Sequence, residues 1–412
     1  MLVRMVARNA DAIVVGAGGF GTSIAFHLAR LGVDVVLLDR SAAASETTAM
    51  AAGIAMQVHP TEAASRLALD SMAMVDGLAA TTGRALDFHR AGSIKVARTA
   101  AHAQIVRDEI AFGRRLGVAI DPLTAAEAET LAPWLTLDGA TAVSIVRRDL
   151  HFEPTDLPHI YLDAARALGV AVHEGTTVRR LLIADGAVTG VETDDGELAA
   201  RVVVIAAGGW SAGLAAAAGC EVPAVPVRHE LFVTAPIDGI AADTPHVRVM
   251  DANAYARPYR GGLMFGAYEA APTEVDAGRS PGGLPPALAS PAAALADRAA
   301  PVLDVIPALA TATAVEVRAG VPTMSPDGTF IVDALPGAAG AYVVAGDNVM
   351  GLHVSPAVGA LLAGWIVDGE RPARLAPFGL GRFADRTSAE LHAAALAQYA
   401  TKYQHLDEVA GP

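Results

Sequence analysis

The sequence predicts an α/β protein in which a doubly wound domain is interleaved with a second domain built mainly on an antiparallel sheet. Three observations predict it. A strand, a glycine turn, a helix and a second strand open the chain. An apolar, β-branched strand at Val202–Ile205 later runs into paired glycines. Between 225 and 269 the strand patterns alternate, as antiparallel strands with two different faces do.

The opening unit is Ile13-Val14-Val15-Gly16-Ala17-Gly18-Gly19-Phe20-Gly21, followed by Val35-Val36-Leu37-Leu38-Asp39-Arg40. Gly16 permits a tight turn, Gly18 lets backbone approach a pyrophosphate, and Gly21 lets the helix sit close on the sheet. The helix places Ile24, Ala25, Leu28 and Leu31 on one face and stops at Gly32. Its free N–H groups and positive end favour phosphate. Asp39 lies 23 residues beyond Gly16, near the spacing of about 20 expected for a carboxylate that holds ribose hydroxyls. Together these make a dinucleotide-binding βαβ unit.

Further along, residues 61–82 have helical periodicity, Ser93–Ala97 reads as a strand, and 99–117 as a helix ending at Gly117. Thr155–Leu168 is helical, Val170–His173 is a strand, and two strands flank the turn at Asp185-Gly186. Strands follow at Leu231–Val233, Val247–Met250 and Leu263–Tyr268, then a Pro/Gly/Ser-rich loop at 278–291. Val315–Arg318, Phe330–Val332 and Tyr342–Ala345 are short strands. Gly351–Asp368 is a helix, launched near Ser355-Pro356 with proline in its first turn. The expected division is 1–90, 145–224 and 320–380 for the nucleotide domain, 91–144 and 225–319 for the second domain, and 381–412 as a helical tail.

A net charge of −14 argues against nucleic-acid binding or an anionic-membrane surface. Cys220 is the single cysteine, which excludes an intramolecular disulfide, an iron–sulfur cluster and a cysteine-rich zinc site. His151, Glu153 and His173 lack metal-ligand spacing, so no metal is expected. No stretch reaches the ~18 uninterrupted apolar residues of a membrane span. Ile13–Val15 is cut by Gly16, so the segment after Met1–Arg8 reads as a first strand and not as a signal-peptide core. A cytoplasmic location is the expectation.

Three separated segments converge on the cofactor: the opening unit, Val203–Ser211, and Val343-Val344-Ala345-Gly346-Asp347-Asn348-Val349-Met350-Gly351. A simple nicotinamide enzyme needs only the first. A flavin that stays bound also needs its ring held, and a Gly-Asp loop before a helix N-terminus supplies that. Five further motifs accompany them: Ser45–Gly53, Phe152-Glu153-Pro154, Pro226–Leu231, Arg257-Pro258 through Gly266–Glu269, and Met324–Gly328. On these the chain, from about 10 to 375, resembles the D-amino acid oxidase superfamily of FAD enzymes, within it the sarcosine and dimethylglycine oxidase/dehydrogenase group.

The resemblance implies FAD, oxidation of a C–N bond by hydride transfer to flavin, and an imine that hydrolyses. It implies a cofactor set of Gly16, Gly18, Gly19, Gly21, Asp39, Arg40, Thr47, Thr48, Ala52, Gly53, Val178, Ala207, Gly208, Trp210, Gly346, Asp347, Met350 and Gly351. An amine or amino acid would be the substrate, with oxygen or an electron-carrier protein as acceptor; an oligomer is compatible with the sequence. Relatives attach FAD through a histidine at the position of Met50 or a cysteine at that of Gly320, so FAD is expected to be non-covalent. Met264 stands where sarcosine oxidases place an oxygen-promoting lysine, which points toward a dehydrogenase. Pro322 replaces a carboxylate-binding arginine, for which Arg318 is either a substitute or an ordinary ion-pair partner. His229 is the candidate proton acceptor, with Tyr255 and Tyr268 as candidate pocket walls. His353 is a candidate partner of substrate or ring, or a helix cap. Two other readings stay open: a flavin-dependent 2-hydroxy acid oxidoreductase, and a flavin-carrying subunit of a larger complex. The length leaves no room for the folate-binding half that some relatives append, so aldehyde release to solvent is expected.

Overall fold

The computed structural model describes residues 10–277 and 288–403. Residues 278–287 of the expected loop, Met1–Arg8 and the last residues of the expected tail lie outside the described residues. The central sheet runs Ala171–His173, Val35–Leu38, Ala10–Val15, the second half of Gly196–Ile205, then Ala341–Ala345, all parallel, with Ile331–Ala334 antiparallel at the edge. Val14 sits between Leu37 and Val204. These strands are apolar throughout because both faces are covered. Successive residues point to opposite sides. Ala12 and Val14 join the core under helices Gly19–Arg30, Glu62–Asp76 and Gly351–Asp368. Ile13 and Val15 join the core under the meander Val178–Ala184, Ala187–Thr193 and Gly196–Ile205.

The second sheet has the order Ala314–Gly320, His229–Thr234, Gly262–Ala267, Ala254–Tyr259, His246–Val249, Ser93–Ala97, Ala142–Val146, Ile120–Leu123. Its pairings are antiparallel except that between His246–Val249 and Ser93–Ala97. Phe232, Ala256 and Phe265 face a core closed by helix Leu295–Ala299, while Leu231, Val233, Tyr255 and Met264 face the opposite way. Across that second face one register row links Arg318, Leu231, Gly266, Tyr255, Arg248 and Lys95. Blocks of strands belonging to the two sheets alternate along the chain.

Two expectations need correction. The helical stretch 61–82 is two helices, Glu62–Asp76 and Leu78–Thr82, broken at Gly77. The helix Gly351–Asp368 begins at Gly351, and Pro356 lies inside it. Proline removes the N–H that Leu352 would receive, and the Ser355 hydroxyl donates to that carbonyl instead at 2.7 Å. The next N–H, of Ala357, donates to Ser71 Oγ at 3.1 Å, and that hydroxyl donates on to Val354 O. This helix is also long and apolar enough to cross a membrane by length and composition. Its apolar residues serve as core between the two neighbouring helices.

Candidate active site

One cavity of about 520 Å³ lies on the seam between the sheets. At one end it is walled by Gly16, Gly18, Gly19, Asp39, Arg40, Val178, Ala207, Gly208 and Trp210. Gly16 has φ +104°, and a Cβ there would lie 2.4 Å from Ala206 O. Gly21 does not line the cavity; a Cβ on it would sit 1.7 Å from Gly16 O, so it sets how closely the helix approaches the turn. The N-cap residue of that helix, Gly18, has no side chain to cap it, and its first turn carries no acid. Its positive end faces the cavity with no charged side chain in its first turn to offset it.

Asp39 accepts from Ala17 N at 2.6 Å and from Ser41 N at 2.8 Å. Burial raises its pKa despite those two donors. The Arg40 guanidinium lies 3.3 Å from the Trp210 ring centroid, and the indole N–H donates to Ala277 O at 2.6 Å. Thr48 Oγ1 accepts from Gly19 N at 3.3 Å and Thr47 Oγ1 from Val321 N at 3.1 Å, which ties the 47–53 loop to the glycine turn and to the segment after strand Ala314–Gly320. Arg257 Nε donates to Ala52 O from the second sheet, and Gly53 O accepts from Phe152 N at 2.8 Å.

The middle of the cavity is bounded by Asp347, Met350 and Gly351. Asp347 Oδ2 accepts from both N and Oγ1 of Thr323 at 2.8 Å, and Oδ1 accepts from Val349 N at 3.0 Å. Asn348 and Val349 both have positive φ, 48° and 60°. For a β-branched residue that conformation is strained and is held only where its surroundings over-determine it. The Asn348 amide does so by donating to Gly346 O, Thr329 O and Ser325 Oγ. Gly346 lies behind this loop and does not line the cavity; a Cβ there would crowd Ser325 and Ile331.

The far end is walled by His229, Tyr255, Tyr268, His353, Arg248, Lys402 and Tyr403. His229 is held by two phenols: Nε2 lies 2.7 Å from Tyr255 OH and Nδ1 2.9 Å from Tyr399 OH. The Tyr268 ring stacks on the imidazole at 4.8 Å between centroids. Burial, with Lys402 as a second cause, pulls the His229 pKa down to about 3. His353 Nε2 lies 2.9 Å from His59 Nε2, so one of the pair supplies the proton of that bond. Burial, then Arg248 and Lys402, lowers His353 to about 3 as well. Both imidazoles are neutral at neutral pH.

The glycine turn, a ring-holding loop and a separate reaction chamber joined by one cavity suit a dinucleotide with a bulky second half. Residues 11–365 match the family described as FAD dependent oxidoreductase. The chain belongs to that family. It is 31% identical over 373 residues, 87% of this chain and 43% of the relative, to 4-methylaminobutanoate oxidase (formaldehyde-forming) of Paenarthrobacter nicotinovorans. It is 28% identical over 389 residues, 92% of this chain and 99% of the relative, to glycine oxidase of Geobacillus kaustophilus. The crystal structure of that enzyme superposes with a TM-score of 0.77, covering 90% of this chain and 98% of the other. L-proline dehydrogenase of P. horikoshii shares the fold with a TM-score of 0.82 at 22% identity, covering 92% and 99%. The chain spans less than half the length of the first curated relatives it matches.

As in its family, the cofactor is FAD, and the cradle fits it: the glycine turn leaves room for backbone to meet phosphate, and Asp39 stands at the turn's edge. Of the residues expected around it, Thr47, Thr48, Ala52 and Gly53 also line the cavity, and only Gly21 and Gly346 stand behind the wall. Met50 and Gly320 both line it too, and neither carries a group able to bond covalently to flavin.

The second set of expectations divides. His229, Tyr255, Tyr268 and His353 come together at the far end. His353 makes no helix cap; its Nε2 is engaged by His59. Arg318 does not line the cavity. Its Nε donates to Glu316 at 2.7 Å, its NH2 to Tyr259 OH at 2.7 Å, and Glu153 lies 3.6 Å from NH1. That is the bonding of an ion-pair partner. Met264 is also outside the cavity, packed with Leu231 and Val233. Sequence reasoning missed His59, Arg248, Lys402 and Tyr403. Arg248 stands on a strand whose sequence alternates polar and apolar residues, His246-Val247-Arg248-Val249, a usable signal; Lys402 reaches the cavity only through the path of the tail.

Proposed function

We propose that this chain oxidises a C–N bond of an N-substituted amine or amino acid, passing hydride to FAD and releasing an imine that hydrolyses. The cavity carries this reading: it joins the FAD cradle directly to a chamber lined by neutral imidazoles, phenols and two cations. When bound, FAD supplies the two-electron acceptor. The protein's part is to exclude water, keep the amine unprotonated and point its C–H bond at the ring. Arg248 and Lys402 disfavour an ammonium at the far end, where His229 and His353 are both neutral.

The 2-hydroxy acid reading is weaker on one observation. It needs a base for an alcohol proton, and His229 has both ring nitrogens engaged by tyrosines and a pKa near 3. The test is anaerobic. The FAD-loaded protein is mixed with a panel of N-methyl amines, amino acids and 2-hydroxy acids while the flavin absorbance is followed. Bleaching by an amine supports the proposal. Bleaching by hydroxy acids alone, or by nothing in the panel, removes it, and the second outcome favours a flavin-carrying subunit. Admitting air to the reduced protein then sorts oxygen from a carrier protein as acceptor. Size-exclusion chromatography with light scattering reads the oligomeric state.

A further inference from the structure

The far end of the cavity holds two cations whose charges are incompletely matched. Arg248 is buried, and its NH2 donates to Ser93 Oγ at 3.1 Å and lies 3.6 Å from Asp149 Oδ2. Its Nε is buried with no hydrogen-bond partner. Asp149 does not line the cavity and is committed elsewhere, accepting from Ser93 Oγ at 2.6 Å and Gln57 N at 2.8 Å. Lys402 Nζ donates to the Asn348 carbonyl at 2.9 Å, which uses one of its three N–H bonds. Among the described residues no carboxylate lies within ion-pair distance of it. The two neighbouring imidazoles are neutral, and the carboxylates that act on the pair, Asp347 on Lys402 and Asp149 on Arg248, are each engaged by other donors.

The placement of Lys402 is built. Asn253, in the turn before strand Ala254–Tyr259, donates through Nδ2 to Ala400 O at 3.0 Å and accepts from Tyr403 N at 3.2 Å. That clamp turns the chain at the end of helix Ser388–Ala400 and aims Lys402 and Tyr403 into the cavity. Arg248 faces Tyr255 across the strand pair, so it shares the face that carries the His229 network. Both cations lie close enough to His353 to depress its basicity.

We propose that Arg248 and Lys402 form the anchor for a carboxylate on the substrate, with the C-terminal segment completing the site. This rests on the amine-oxidation reading and narrows its substrate class to amines that carry an acid group. Arg318, with its guanidinium consumed by Glu316, Glu153 and Tyr259, takes no part. A guanidinium beside an ammonium gives one planar fork and one point charge, enough to fix a carboxylate in position and orientation. The same two charges repel an ammonium, so one device both anchors the acid and favours the free amine.

The test is binding, which needs no turnover. FAD-loaded protein is titrated with butyrate, butyramide and inorganic phosphate, and the flavin absorption spectrum is read. Butyrate is expected to perturb the spectrum saturably, while butyramide and phosphate do so at least tenfold more weakly. Arg248→Met and Lys402→Met should each weaken butyrate by about 10–100-fold, as loss of a charged hydrogen bond does. Arg318→Met should leave butyrate affinity within about twofold, and Lys402→Arg should recover most of the loss. If Arg248→Met fails to retain FAD because Asp149 is left alone, Lys402→Met decides. Equal binding of butyrate and butyramide, equal binding of phosphate, or unchanged affinity in Lys402→Met overturns the proposal. A Lys402→Met protein with normal butyrate affinity but a shifted flavin reduction potential would assign the lysine to the ring instead. Butyrate binding with no bleaching by any amine would retain the anchor and refute the amine-oxidation reading, so the two failures are distinct.

Discussion

Met50 and Gly320 touch: a Cβ added at 320 would lie 3.0 Å from Met50 Cβ. The two positions are 270 residues apart in sequence, yet they form one patch of the cavity wall. They are also the two positions from which relatives were expected to attach FAD, and here both are chemically inert. Precipitation of the protein with acid is therefore expected to leave all the yellow colour in the supernatant. A yellow pellet after washing would contradict a non-covalent cofactor.

Close approach at the glycine turn gives a second prediction. Gly21→Ala puts a carbon 1.7 Å from a backbone oxygen, which no side-chain shift relieves. The variant should purify without flavin or fail to accumulate. Gly364→Ala is the control, since nothing lies within 4 Å of its Cβ in the long helix. It should keep FAD and gain about 0.5–1 kcal/mol from helix propensity. Flavin-to-protein absorbance ratio and thermal unfolding check both.

Stability should fall steeply in mild acid. His27 is lowered to about 4, and His151, His229 and His353 to about 3, with burial the largest cause in each; His59 and His246 are lowered too. A base whose folded pKa is depressed stays neutral while the unfolded chain takes up a proton below pH 6.5. The unfolded state then binds more protons, so stability is lost as pH falls from 6.5 toward those values. Each such histidine contributes about 1.4 kcal/mol per pH unit in that window. Denaturant titrations at pH 7.5, 6.5 and 5.5 measure it. A flat profile would show that these imidazoles are not buried neutral.

Arg318→Met separates structure from binding. It strips hydrogen bonds from Glu316 and Tyr259 and an ion pair from Glu153. Both carboxylates are partly exposed and recover water, so the expected loss is about 1–3 kcal/mol. KM for whichever amine bleaches the flavin should not change. A raised KM with unchanged stability would restore the arginine to the binding site.

Much of the fold was legible because its signals are local. Buried parallel strands are apolar throughout, glycine turns sit at fixed offsets, and periodicity marks the helices, so Gly16, Asp39 and Gly351 could be placed from neighbours in sequence. Pro356 was misjudged because whether the helix continues through it depended on Ser355 and Ser71 taking up unmatched backbone groups. The far end of the cavity was legible only in part. His229 and Tyr255 were candidates, but their 2.7 Å contact is set by sheet register. Arg318 and Arg248 look equivalent in sequence, and only packing gives one its full set of partners and leaves the other's Nε without one. Sequence by itself determined the family, the cofactor cradle and the order of elements, since each follows from residue type and spacing. The tertiary structure decided which charges face the substrate, because long-range contacts such as Asn253 with Ala400 and Tyr403 bring Lys402 into the chamber.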